Sequence, residues 1–108
     1  MKRGEVWWVE FDPAVGSEIK KTRPAVIVSN NAANRNLSRV VVVPLSSNTH
    51  RLYPGESLVM VDGVQGKAMA DQIMAASKLR LKAKLCNLSK ADMNGVEEAL
   101  AIHLDLPK

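Results

Sequence analysis

A chain of 108 residues, 46% hydrophobic and 24% charged, can bury one modest core and not two, which predicts a single domain over residues 1–108 and excludes a disordered chain. A net charge of +4 is only mildly basic, and a lone cysteine, Cys86, excludes an intramolecular disulfide and a thiolate metal cluster. No apolar run approaches the ~18 residues that cross a bilayer, and "MKRGEVWW" lacks the apolar segment of a secretory signal, so the expected location is the cytoplasm.

In chain order, "EVWWVEF" (5–11), "AVIVS" (25–29), "RVVVVPL" (39–45) and "SLVMVD" (57–62) are short, rich in β-branched and aromatic residues, and bounded by Gly, Pro, Asn or Ser, as strands are. The segment between the first two, Gly16 to Thr22, reads as a mobile loop, with Pro24 opening the second strand. "NNAANRN" (30–36) reads as a polar loop, and Pro44 implies that pairing stops or bulges at the end of its run. "KAMADQIM" (67–74), reached through an Asp62-Gly63 turn, is a fifth strand candidate and "AKLCNL" (83–88) a sixth. "KLRLKAKL" (78–85) is compatible with either a half-exposed strand or a turn. After it the period changes. Ser89 can cap a helix with Asp92 three residues on, and Leu88 and Met93 suit a hydrophobic staple. Met93, Val96, Leu100 and Leu104 then share one face of a helix from about Lys90 to Leu104. Strands spaced this way, with one terminal helix, predict a mainly β fold, an antiparallel meander curled into a small barrel.

The basic residues are segregated. No Asp or Glu lies between Ile19 and Gly55, a stretch holding Lys20, Lys21, Arg23, Arg35, Arg39 and Arg51, and none between Gln72 and Ala91, which holds Lys78, Arg80, Lys82, Lys84 and Lys90. Segregation of this kind suits a polyanionic partner, whereas charge runs as a class are more often solvated surface. Cleaving RNA without a metal requires the 2′-hydroxyl to attack its own phosphate, with proton transfer and stabilisation of charge on the phosphoryl oxygens. A rigidly held arginine beside the phosphorus and a hydroxyl on a non-bridging oxygen can supply this. Arg23, fixed by the following Pro24, suits the first role, and Ser46 or Ser47 the second. Each has a plainer alternative: Arg23 in a salt bridge with Glu18, the serines in a turn. His50 is a base, an RNA contact or a solvated loop residue, and His103 is structural. The acids Asp12, Glu18, Asp62 and Asp71 form no local cluster, so metal chemistry has little support.

"RGEVWWVEFDPAVGSEIKKTRPAVIVSN", followed by "VVVVPLSSN", "YPGES", "ADQI" and a terminal helix, closely resembles the PemK/MazF family of toxin endoribonucleases over Arg3 to Leu106. The resemblance implies a partly open SH3-like antiparallel barrel with accessory helices and a C-terminal helix, active as a homodimer. It implies metal-independent, cofactor-free cleavage of single-stranded RNA at short sequences, leaving 2′,3′-cyclic phosphate and 5′-hydroxyl ends. It also implies a cognate antitoxin whose C-terminal segment covers the RNA site. Carried onto this sequence, the arginine of the "RP" element is Arg23, the acid and phosphorane stabiliser. The second active-site hydroxyl falls at Ser46, where many members have threonine, with Ser47 an adjacent competitor. Glu18 of "GSE" ranks third, as a base or an orienter of Arg23. RNA contacts are expected from Lys20, Lys21, Thr22, Ser47, Asn48, His50, Arg51 and Gln72. A gyrase-poisoning toxin of the same fold is the alternative, weakened because both tryptophans, Trp7 and Trp8, lie in the first strand and none near the C-terminus. A catalytically silent nucleic-acid-binding barrel is another.

Overall fold

The computed structural model describes residues 1–107. Its seven strands are β1 (Glu5–Glu10), β2 (Thr22–Ile27), β3 (Arg39–Ser46), β4 (Glu56–Val61), β5 (Val64–Met69), β6 (Met74–Ser77) and β7 (Leu81–Asn87), and its two α-helices are α1 (Asn31–Asn36) and α2 (Lys90–His103). All strand pairs are antiparallel, in the order β4-β5-β3-β2-β1-β7, with β6 beside the first half of β3. The sheet curls into a half-open barrel closed on one side by α2. Among the described residues, no helix is long and apolar enough to cross a membrane.

The unbroken apolar runs of β2 and β3 are explained by burial on both faces. Ala25, Ile27, Val40 and Val42 join Val9, Phe11, Ala76 and Leu81 in one cluster. Val26, Val43 and Leu45 point the other way, into a second cluster with Val6, Val59, Ala68, Leu88, Met93 and Val96. Each Val, Leu, Ile, Phe or Met side chain so removed from water contributes roughly 1.5–3 kcal/mol. α2 seals the second cluster. Ser89 caps it by accepting a hydrogen bond from the Asp92 N–H at 3.1 Å. The Asp92 carboxylate reaches away from the cap and accepts from the Met60 N–H at 2.8 Å, tying the helix to β4. Gly95 marks this closeness, since a Cβ there would lie 2.5 Å from the Ser57 Oγ, which would have to rotate away.

Several expectations are corrected. "NNAANRN" is not a loop: Asn30 caps α1 by accepting from the Ala33 N–H, and the buried Asn34 donates to the Ser29 carbonyl and bonds the Ser29 hydroxyl. "KAMADQIM" is not one strand. β5 starts earlier, at Val64, because Asp62 and Gly63 both take positive φ and close a two-residue hairpin, and Ala70–Gln72 form a 3-10 turn before β6. "KLRLKAKL" is both alternatives in succession, a 3-10 turn at Lys78–Arg80 and then β7. β2 begins at Thr22, so Arg23 lies inside the strand rather than ahead of it. Leu104, expected on the buried face of α2, is exposed because the helix ends at His103.

Candidate functional site

Two prolines shape the end of the β2–β3 pair. Ala25, Val26 and Ile27 pair with Pro44, Val43 and Val42, and the Val28 N–H donates to the Val41 carbonyl at 2.9 Å. In this register Pro24 falls at a hydrogen-bonded position facing Leu45 and has no N–H to give, so the ladder stops. Pro44 turns its missing donor to the other side, where β3 leaves β6 after Val42 and takes up β5 at Leu45. One position beyond the last possible bond are Arg23 and Ser46. Strand alternation puts Arg23 on the face of Ala25 and Ile27, and Ser46 on the face of Val40 and Val42. These four belong to the same cluster, so the two candidate side chains share one face at one end of the sheet.

Arg23 is exposed. Its Nε donates to the Lys20 carbonyl at 3.3 Å, and its two terminal guanidinium nitrogens have no partner among the described residues. The suggested salt bridge with Glu18 is not formed. The Glu18 carboxylate instead accepts from the Val15 N–H at 2.7 Å, leaving its second oxygen without a partner among the described residues. Ser46 is half-buried, and its Oγ accepts from the Asn48 N–H at 3.1 Å, so its hydroxyl proton is available for an acceptor.

The β1–β2 loop, expected to be mobile, is tied at three places. Glu18 holds Val15, the Ile19 N–H donates to the Gln72 Oε1 at 2.8 Å, and the Lys21 N–H donates to the Asp12 Oδ1 at 2.9 Å. Lys21 takes a positive φ of 65°, and its carbonyl accepts from the Phe11 N–H at 2.8 Å. Gln72 therefore holds the loop with its amide oxygen. Between loop and sheet is a cavity of about 500 Å³, walled by Phe11, Ile19, Ile73 and Met74, with Glu18 and Asp71 also lining it.

On the other side of Ser46, residues 47–55 present Ser47, Asn48, His50 and Arg51 to solvent, while Lys20, Lys21 and Thr22 are exposed beside Arg23. The His50 N–H donates to the Asn48 Oδ1 at 3.2 Å. Sequence reasoning missed the buried pair behind this loop. Lys67, which pairs with Ser46 across β3 and β5, makes a 3.0 Å ion pair with Glu56, the side chains only 9% and 8% exposed. Its one signal in the sequence was a lysine amid residues otherwise suited to a buried strand. His103 ends α2, where its ring and the Asp71 side chain both lie against Gly55. Among the described residues, no three of His, Cys, Asp and Glu come together to hold a metal ion.

Part of the second basic stretch is paired by β1. Lys82 lies 3.7 Å from Glu10 and Lys84 3.5 Å from Glu5, while the Arg80 Nη1 donates to the carbonyls of Glu10 and Asp12 at 2.9 and 2.7 Å. Burial raises the pKa of the Glu5 carboxyl, but the Trp7 indole N–H, a backbone N–H at Lys2, the N-terminal ammonium and Lys84 together leave it below its usual value. At the Arg23 end, by contrast, Lys20, Lys21, Arg23 and Arg51 make no ion pair among the described residues.

Residues 2–104 match a family described as the PemK-like, MazF-like toxin of type II toxin–antitoxin systems. The chain is 41% identical over 115 residues to a Mycobacterium tuberculosis protein named endoribonuclease MazF9, covering 98% of each. It superposes on a mycobacterial endoribonuclease solved in complex with its cognate antitoxin with a TM-score of 0.82 at 33% identity, covering 100% of this chain and 98% of that one. For MazF from Deinococcus radiodurans the TM-score is 0.86 at 25% identity, over 97% and 96% of the two chains.

Proposed function

We infer from the chain's belonging to the PemK-like, MazF-like toxin family that it is the toxin of a type II toxin–antitoxin system and an endoribonuclease, as its relatives are named. The reading extends to the chemistry. The 2′-oxygen of single-stranded RNA attacks the adjacent phosphorus, the bond to the 5′-oxygen breaks, and the products carry a 2′,3′-cyclic phosphate and a 5′-hydroxyl, without a metal or other cofactor. Arg23 stabilises the pentavalent phosphorane and donates toward the departing 5′-oxygen. Ser46 donates its hydroxyl to a non-bridging oxygen. Glu18 accepts the 2′-proton or orients Arg23, and its unpartnered carboxylate oxygen supports the former. The observation that carries this assignment is an exposed guanidinium with unpartnered terminal nitrogens, sharing a face and a sheet end with a half-buried hydroxyl.

Lys20, Lys21 and Thr22 on one side and Ser47, Asn48, His50 and Arg51 on the other bind the RNA strand as it crosses that end, and Gln72 supports them by holding Ile19. Residues 1–108 act as one domain, in a homodimer, in the cytoplasm, and the C-terminal segment of a cognate antitoxin covers the same surface. A toxin–antitoxin complex among the solved relatives supports the partner. The test is incubation of a long unstructured RNA with pure protein in excess EDTA. Cleavage with 2′,3′-cyclic phosphate ends is expected, and intact RNA would overturn the reading.

A further inference from the structure

The buried pair behind residues 47–55 has no evident use in stability alone. Replacing a buried ion pair by apolar side chains of similar volume commonly leaves a protein as stable or more so, and β5 is otherwise built to be apolar there, with Gly66, Ala68 and Met69 buried around Lys67. What the lysine does is gather the loop. Its Nζ donates to the Arg51 carbonyl and to the Glu56 Oε1, each at 3.0 Å, and lies 5.7 Å from the centre of the Tyr53 ring. The same Glu56 oxygen accepts from the Tyr53 N–H at 2.9 Å, and the Glu56 N–H returns a bond to the Tyr53 carbonyl. A single ammonium thus fixes Arg51, Tyr53 and Glu56 together, from a position directly across the ladder from Ser46. Tyr53 remains 55% exposed with its ring held against a cation.

We propose that Lys67 is a positioning residue that presents Tyr53 as a stacking platform for one unpaired RNA base, and so holds the substrate strand beside Ser46. This rests on the endoribonuclease reading and deepens it. Base–aromatic stacking needs a ring of fixed orientation with an open face, and a ring anchored at its backbone by Glu56 and beside its π-system by Lys67 meets that need within a short chain distance of Ser46.

The test is steady-state cleavage of one unstructured RNA by the wild type, by Tyr53→Ala, by Tyr53→Phe, and by the double variant Lys67→Met with Glu56→Gln, which removes both buried charges together. In Tyr53→Ala and in the double variant KM is expected to rise about tenfold with kcat little changed, and Tyr53→Phe is expected to keep the wild-type KM. A merely structural role would lower the amount of active protein and leave KM unchanged. An unchanged KM in the double variant overturns the role of Lys67, and an unchanged KM in Tyr53→Ala overturns the stacking platform, each while leaving the endoribonuclease intact; a wild type that cuts no RNA overturns both readings. Should the double variant fail to fold, Lys67→Arg, whose planar head cannot keep all three contacts, takes its place with the same expected rise in KM.

Discussion

Lys20, Lys21 and Arg23 precede or open β2, and Arg80, Lys82 and Lys84 run into β7; both groups lie in stretches without a single acid. Among the described residues, only the second group has side chains paired with acids. β7 pairs with β1, which brings Glu5 and Glu10 against its lysines, whereas Arg23 pairs with the apolar Val9 and keeps its terminal nitrogens free of protein partners among the described residues. A run of like charge is therefore informative about a polyanion only after the neighbouring strand is known. What distinguishes the two regions is the cross-strand partner rather than the local sequence.

Substitutions in the two regions should then have opposite signatures. The largest contrast is at Arg23: Arg23→Ala should lower RNA cleavage in EDTA by about 10³-fold while the unfolding midpoint stays put, and cleavage at the wild-type rate would remove the proposed mechanism. Next comes its neighbour. Ser46→Ala should cost about 10²-fold in cleavage rate and Ser46→Thr should remain active; the reverse order, or a larger loss in Ser47→Ala, would move the hydroxyl role to Ser47. Binding sharpens the comparison further. Lys20→Ala and Lys21→Ala should each reduce the salt dependence of RNA affinity, by about 0.7 in the log–log slope for a lost single-strand phosphate contact, and Lys82→Ala and Lys84→Ala should leave it unchanged.

The paired stripe should show itself in stability. Arg80→Ala is expected to cost about 1–2 kcal/mol through two lost charge-assisted bonds, read in chemical denaturation, with RNA cleavage unaffected. The smallest effect belongs to Glu5. Because its carboxyl is held below the usual value for a glutamate, its contribution is fully present above that usual value and is lost as the pH falls through the lower folded-state value. Glu5→Gln should therefore be less stable than the wild type at neutral pH, and the two should converge in acid. A gap that stays constant with pH would mean that the carboxylate charge is not what holds β1 to β7.

β1 to β4 and α2 were legible because their cores depend on residue type: Val-rich runs have nowhere to go but into two buried faces, and Ser89 caps whatever helix follows it. α1 was not, since three of its six residues are Asn, which read as a loop, and the helix relies on the Asn30 cap and the buried Asn34 bonding to Ser29. β6, "MAAS", carries no β-branched residue and is a strand only because the first half of β3 needs a partner. Arg23 and Ser46 were identifiable singly from their chemistry and from the family strings. That they share one face followed only from the register. Lys67 and Glu56 are eleven residues apart and meet only because the β4–β5 hairpin folds one beside the other, so no local pattern announces them.

The prolines at positions 24 and 44 have a consequence for motion. Elsewhere, parting β2 from β3 would mean rupturing ladder bonds, but at the Arg23–Ser46 end there is no Pro24 donor to rupture. One fewer bond therefore has to break for the two strands to part beside Arg23 and Ser46 than at an ordinary hydrogen-bonded pair, so local opening is expected to cost less there than further down the ladder.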